Sequence, residues 1–233
     1  MTDRESKVGD SEPPPSLTPE QAAPLEASNT LRQYDSVVEQ IRSTLSGGKP
    51  LRLRPSTLAT LNRLAVEGLV RTPGALRTKP IKIIGSQHQP PAWTDVASHL
   101  DDLCDYVNDN LGKPPLHLAA YVMWRLNWIH PFEDGNGRTS RAASYFVLCV
   151  GLGYLIPGPR TIPERIAVRK KPYYAALEAA DAAWERETLD VSAMEELLSS
   201  LLAQQLMDVH VKAKGGMLPD LPEAPGGAWG GGD

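Results

Sequence analysis

The sequence predicts an all-α fold, a helical bundle with one short β-hairpin lying across it as a flap. Three observations lead there. Several segments repeat apolar residues at the three-to-four spacing of a helix with one buried face. Two more, 116–129 and 142–150, are apolar nearly all round, which suits helices surrounded by other helices. Only the stretch 77–93 reads as extended.

The elements follow in chain order. Residues 1–24 are rich in Pro, Ser and acids and lack periodicity, so a disordered tail is expected there. TLRQYDSVVEQIRSTLSGG then sets Leu31, Tyr34, Val37, Val38, Ile41 and Leu45 on one face, and the Gly47-Gly48 pair stops the helix. PSTLATLNRLAVEG repeats the pattern with Leu58, Leu61, Leu64 and Ala65, from a cap at Ser56 or Thr57. In RTKPIKIIGSQHQPPAW, Ile81, Ile83 and Ile84 precede a turn at Gly85-Ser86, and Pro90-Pro91 ends the hairpin. An isolated hairpin is marginal, so this one is expected to lie against the bundle. WTDVASHLDDLCDYVNDNLG turns Val96, Leu100, Leu103 and Val107 inward, with Thr94 as cap, and DVSAMEELLSSLLAQQLMDV forms a last amphipathic helix. The folded domain is expected over 25–213, followed by a disordered Gly/Pro-rich tail over 214–233.

Composition sets the boundaries. The chain has 233 residues, 41% hydrophobic and 22% charged, which suffices for one good-sized core. A net charge of -4 with no basic stripe argues against a nucleic-acid partner. No run approaches the roughly 18 apolar residues of a membrane span, and a cytoplasmic location is expected. Cys104 and Cys149 sit far apart in helix-like apolar patterns and read as small buried hydrophobes.

The joint between the two apolar helices reads HPFEDGNGR, residues 130–138. Polar residues held on a dry scaffold destabilise it unless they are paired or used. Pro131 ends the preceding helix, and Phe132 is the one apolar side chain able to anchor the loop. Gly135 and Gly137, with Asn136 between them, permit backbone conformations that turn successive N–H groups into one concavity at a helix start. Arg138 and Arg141, three apart, suit forked contacts to phosphate oxygens. Glu133 or Asp134 beside such a nest calls for a hard cation between carboxylate and phosphate. His130 can exchange a proton at neutral pH. Each feature alone has a plain structural role. Their contiguity instead suggests a Mg-nucleotide phosphate site with a histidine base.

HPFEDGNGRTSR resembles the signature of the Fic (Fic/DOC) family, His-x-Phe-x-(Asp/Glu)-Gly-Asn-Gly-Arg-x-x-Arg, at every specified position. GALRTKPIKIIGSQHQPPAW is similar to the family's flap segment, and RKKPYYAALEAADAAW to the one bordering the nucleotide base, so the likeness runs over about 50–210. The resemblance implies a Fic-type helical bundle and transfer of AMP from ATP to a Ser, Thr or Tyr hydroxyl of a target protein. It makes His130 the general base, Asp134 the Mg²⁺ ligand and Phe132 the buried anchor. Gly135, Asn136 and Gly137 would cradle phosphate oxygens, with Arg138 and Arg141 on the β- and γ-phosphates. A flap over about 79–89, with Lys79, Ile81, Ile83, Gly85 and His88, would pair with the target in strand fashion. Tyr173 or Tyr174 would line the adenine pocket, with packing as the alternative.

Many relatives carry an inhibitory helix reading (Ser/Thr)-x-x-x-Glu-(Gly/Asn). Glu67-Gly68 has the final pair but Arg63 at its start, and Ser192 to Glu196 is followed by Leu197, so no complete copy is found. Restraint is therefore expected from a separate small antitoxin-like protein or an atypical internal segment. Other readings are the same fold moving UMP, phosphocholine or a phosphoryl group, removing AMP from a target, or only binding nucleotide. The intact Gly-Asn-Gly-Arg favours nucleotidyl transfer over phosphorylation without separating ATP from UTP. His130 argues against a mere binding module, and the missing inhibitory glutamate argues against removal of AMP.

Overall fold

The computed structural model describes residues 6–8, 17–48 and 50–218. Most of the chain is helical, as expected. The helices are α1 (Pro19–Ser46), α2 (Pro55–Val66), α3 (Val96–Asp109), α4 (Pro115–Ile129), α5 (Asn136–Leu152), α6 (Ile162–Val168), α7 (Lys170–Trp184) and α8 (Ser192–Ala213). The strands are β1 (Ser6–Val8) and β2 (Ile81–Ile83). Helices α4 and α5 form the central hairpin. Helices α1 and α2 flank α5, α3 and α7 pack on α4, α8 packs on α4 and α7, and α6 bridges α5 and α8. Leu118, Val122, Met123, Leu126 and Ile129 of α4 and Ala143, Val147 and Leu148 of α5 are fully buried. No helix among the described residues is long and apolar enough to cross a membrane.

Helix α1 begins earlier than the sequence suggested. Thr18 and Gln21 close a reciprocal capping box and Pro19 takes the first turn, where its missing N–H costs nothing. Residues 19–24, expected in the tail, are therefore helical, with Pro24 inside the helix. Of the rest of that tail, residues 1–5 and 9–16 lie outside the described residues, as do 219–233 of the C-terminal one. The buried face of α1 is also rotated from the expected one. Asn29, Gln33, Val37 and Ile41 face inward, while Leu31 and Tyr34 are exposed. Two side-chain bonds turn the helix: Asn29 donates to the Glu67 carbonyl at 2.8 Å and Gln33 to the Leu61 carbonyl at 2.9 Å. Arg32 pairs with Glu67 at 2.6 Å beside them.

Three local expectations need correction. Helix α2 starts one residue before Ser56, from Pro55, without a side-chain cap. A 3-10 turn over Trp93–Asp95 precedes α3, and the Thr94 hydroxyl donates to Asp95 rather than capping. The hairpin is not closed on itself. Gly85 makes the expected turn with φ +75°, but β2 pairs antiparallel with β1, in the register Ser6 to Ile83, Lys7 to Lys82 and Val8 to Ile81. The returning segment cannot form a full ladder, because Pro90 and Pro91 lack N–H donors. Its His88 ring bonds instead to the Trp128 carbonyl at 2.8 Å.

The cysteines are free thiols buried in the core. Burial pushes Cys104 up to about 12 and Cys149 up to about 11. Arg125 is buried under the rings of Trp128 at 4.1 Å and Trp184 at 4.7 Å, a cation–π stack that offsets its desolvation.

Candidate active site

The site is built where α4 ends and α5 begins. His130 terminates α4 in the left-handed region, φ 49° and ψ 60°, which disfavours a side-chain-bearing residue by about 1–3 kcal/mol unless the surroundings enforce it. They do. The His130 N–H donates to the Leu126 carbonyl, and its own carbonyl accepts from Arg77 Nε at 2.8 Å. The imidazole is 3% exposed, and its Nδ1 lies 3.2 Å from the Asn127 carbonyl. A carbonyl only accepts, so Nδ1 carries the hydrogen and the basic lone pair resides on Nε2.

Arg77 was not singled out from sequence. Fully buried, it also donates to the carbonyls of Lys79, Pro91 and Ile129, and its N–H to that of Pro131. One guanidinium thus ties both flanks of the flap to the turn that carries His130. The only hint in the sequence was an arginine placed amid coil-forming Gly, Thr and Pro. Asn62 of α2 was missed as well. Its Nδ2 donates to the Asp134 carbonyl at 2.8 Å, and its Oδ1 accepts from the Gly74 N–H at 3.0 Å.

Within the loop, Phe132 is buried as the expected anchor. The Asn136 side chain holds the loop shut, since it donates to the Phe132 carbonyl and accepts from the Phe132 N–H. Both of its polar atoms thus bond the Phe132 backbone and shape the loop. Gly135 takes φ +75° at the N-cap, and a Cβ there would stand 2.5 Å from Val66 Cγ1. Gly137 lies buried in the first turn, and no described side chain caps α5. That leaves a helix start whose amides and dipole favour an anion. Asp134 accepts from the Gly135 N–H and from Arg138 at 3.2 Å, and Arg138 also donates to the Ala65 carbonyl at 3.1 Å.

Arg138 and Arg141 line one pocket of about 320 Å³. Its other walls are Thr30, Leu31 and Tyr34 of α1 and Pro163 and Glu164 of α6. A volume of that size takes a small ligand, with Ala27, Val37, Ala142, Tyr145 and Ala167 supplying apolar wall beside the two arginines. The rotation of α1 therefore gives the exposed Leu31 and Tyr34 a place, on the pocket rather than in the core. His130 is not among the residues that line this pocket, and its carbonyl is bonded to Arg77.

Tyr173 does not border the pocket. It is 2% exposed, and its hydroxyl accepts from Asn127 Nδ2 at 2.8 Å, close to Ser140 Oγ at 3.4 Å. Tyr174 stacks near it, 5.6 Å between ring centroids, and packs on the core. Neither is among the residues lining the arginine pocket, and both pack against the core. In the flap, Ile83 is buried, Ile81 is half-buried and Lys79 is exposed. Glu67 and Glu196, weighed as inhibitory residues, are absent from the pocket walls. His117, read as a packing or surface residue, lies 2.7 Å from Glu195 and 2.8 Å from the Tyr106 hydroxyl. Among the described residues no group of three His, Cys, Asp or Glu could hold a metal. A single half-exposed carboxylate, Asp134, still suits Mg²⁺, which takes most of its ligands from phosphates and water.

Residues 52–148 match the family described as Fic/DOC. Among proteins of similar sequence, the protein adenylyltransferase fic-1 of Caenorhabditis briggsae is 31% identical over 110 residues, 46% of this chain and 20% of that protein. The protein adenylyltransferase Fic of Drosophila grimshawi is 30% identical over 148 residues, 58% of this chain and 29% of that protein. The chain thus spans about a fifth to a third of the length of such curated relatives. In structure it is similar to a Fic-domain-containing signaling protein of Bacteroides thetaiotaomicron, TM-score 0.64 and 24% identity, over 82% of this chain and 74% of that one. It is also similar to Fic-1 (aa134–508) of C. elegans, TM-score 0.62 and 20% identity, over 88% and 56%. At those identities the structures establish the fold alone. Residues 52–148, loop signature included, are thus similar to the Fic/DOC family, and the chain shares the fold of Fic-domain structures.

Proposed function

We propose that this chain is a protein adenylyltransferase that moves AMP from ATP to a Ser, Thr or Tyr hydroxyl of another protein. The observation that carries the reading is the pairing, on one loop, of an imidazole with its basic nitrogen fixed and an uncapped helix start beside two arginines of one pocket. His130 Nε2 takes the proton of the target hydroxyl as its oxygen attacks the α-phosphorus of ATP and pyrophosphate leaves. The amides of Gly135, Asn136 and Gly137 with Arg138 and Arg141 hold the phosphate oxygens. Asp134 would hold Mg²⁺, which supplies charge neutralisation to the phosphates. To take that role Asp134 exchanges its contact with Arg138, which releases the guanidinium toward phosphate. The target lies along the flap strand, whose attachment through Arg77 keeps it beside His130. The proposed setting is the cytoplasm.

Incubation with ATP labelled at the α- or the γ-position tests the reading in a lysate of the source organism. Label reaching protein from the α-position alone supports it, and label from γ alone replaces it with kinase chemistry. His130→Ala should abolish transfer while ATP affinity holds, because the imidazole is not among the phosphate contacts.

A further inference from the structure

We infer that Ser6–Val8 is a displaceable internal strand that holds the pairing edge of the flap until a target segment, with an acidic residue opposite Lys82, takes its place. The inference deepens the adenylyltransferase reading and rests on its flap-docking step.

The flap strand is fixed from below. Ile83 is buried against the bundle, Ile81 is half-buried and Lys82 faces solvent. Arg77 before it and His88 after it tie both flanks to the end of α4, next to His130. Its backbone groups therefore remain in place to pair with a second strand, and main-chain pairing accepts any extended polypeptide. Here that second strand comes from the same chain, antiparallel over three residues.

Two features make this occupant weak by itself. The sheet has only two strands, and an isolated two-stranded pair is marginal in water. The register also sets Lys7 opposite Lys82, and like charges directly opposite each other disfavour an antiparallel pair. Occupancy is sustained by attachment. Residues 9–17 connect the strand to the cap of α1 at Thr18, and a short connection gives an effective concentration of about millimolar. An incoming strand with Asp or Glu opposite Lys82 replaces repulsion by attraction, so it competes where a neutral or basic one does not. The loop signature holds no such information, and none of the inhibitory patterns sought in the sequence falls on residues 6–8.

Hydrogen exchange at residues 81–83 provides the test, on the full chain, on a chain lacking residues 1–9, and on Lys7→Glu. The deletion leaves Thr18 and α1 intact. Exchange at 81–83 should quicken by about tenfold or more on deletion, with α4 and α5 unchanged, and slow in Lys7→Glu. Protein labelling from α-labelled ATP in lysate should rise on deletion and fall in Lys7→Glu. Unaltered exchange on deletion overturns the internal strand. Faster exchange with unchanged labelling overturns the displacement. No label from any of the three proteins defeats the transfer reading and the displacement with it, and the order of exchange rates then decides the strand alone.

Discussion

Substitution of Gly135 by Ala probes the joint on which the whole site is mounted. The residue sits at φ +75°, and an added Cβ would stand 2.5 Å from Val66 Cγ1 and 3.0 Å from Asn62 Nδ2. The first effect is backbone strain of about 1–2 kcal/mol for a side-chain-bearing residue in the left-handed region. The second is overpacking of about 1–3 kcal/mol, since Val66 is fully buried and cannot move away. Asn62 cannot yield without losing its bond to the Asp134 carbonyl. Together they destabilise by about 3 kcal/mol, or roughly 6–12 °C in melting temperature for a chain of this size. Gly153, at the other end of α5, separates the two effects. Its φ is +82°, but a Cβ there meets nothing within 4 Å. Gly153→Ala should therefore destabilise by only about 1 kcal/mol. Thermal and urea unfolding followed by far-ultraviolet circular dichroism measures both. In a Val66→Ala background the extra loss at Gly135 should shrink toward that at Gly153. Equal losses at Gly135 and Gly153, or a coupling with Val66 below about 0.5 kcal/mol, would refute the wedge between α2 and the loop.

Further predictions follow from other parts of the site. Arg77→Met leaves four carbonyls without this donor, two of the bonds buried and two part-buried, so it should destabilise by on the order of 3 kcal/mol and lower protein labelling, with Arg77→Lys restoring only part of each. Tyr173→Phe should lose about 1 kcal/mol in urea unfolding through its contacts with Asn127 and Ser140. Calorimetry should find ATP affinity unchanged in Tyr173→Phe, and a loss of about tenfold would return the ring to the adenine site. Burial holds the Cys104 thiol and the Tyr121 hydroxyl up to about 12 in the folded chain, above their unfolded values. The neutral forms are favoured by folding, so this stability is complete below about pH 9 and is lost as pH rises toward about 12. Urea midpoints at pH 8 and pH 10.5 check the sign, and a higher midpoint at pH 10.5 would refute it.

The loop signature was legible because its chemistry is contiguous: His130, Phe132, Asp134, the Gly-Asn-Gly and both arginines lie within one short stretch. Their surroundings are not contiguous. Arg77 and Asn62 reach the loop from two different parts of the chain, and a residue that works by bonding distant carbonyls leaves no periodic mark. The direction of the Tyr173 hydroxyl, toward Asn127, was not legible either, since adjacency in sequence to a base-bordering segment says nothing about which way it turns.

By itself the sequence determined helices α1 to α5 and α8 but not α6 and α7, marked α4 and α5 as the two that must be buried, and placed the reactive corner between those two. Side-chain spacing and turn chemistry act over a few residues, and a chain can be read at that range. Only the tertiary structure decided which face of α1 turns inward, because Asn29 and Gln33 find carbonyl partners in and just beyond α2 and leave Leu31 and Tyr34 to wall the arginine pocket. Likewise it decided what pairs with the flap. A strand's backbone groups accept any extended neighbour, and nothing within residues 77–93 could have named one in residues 6–8.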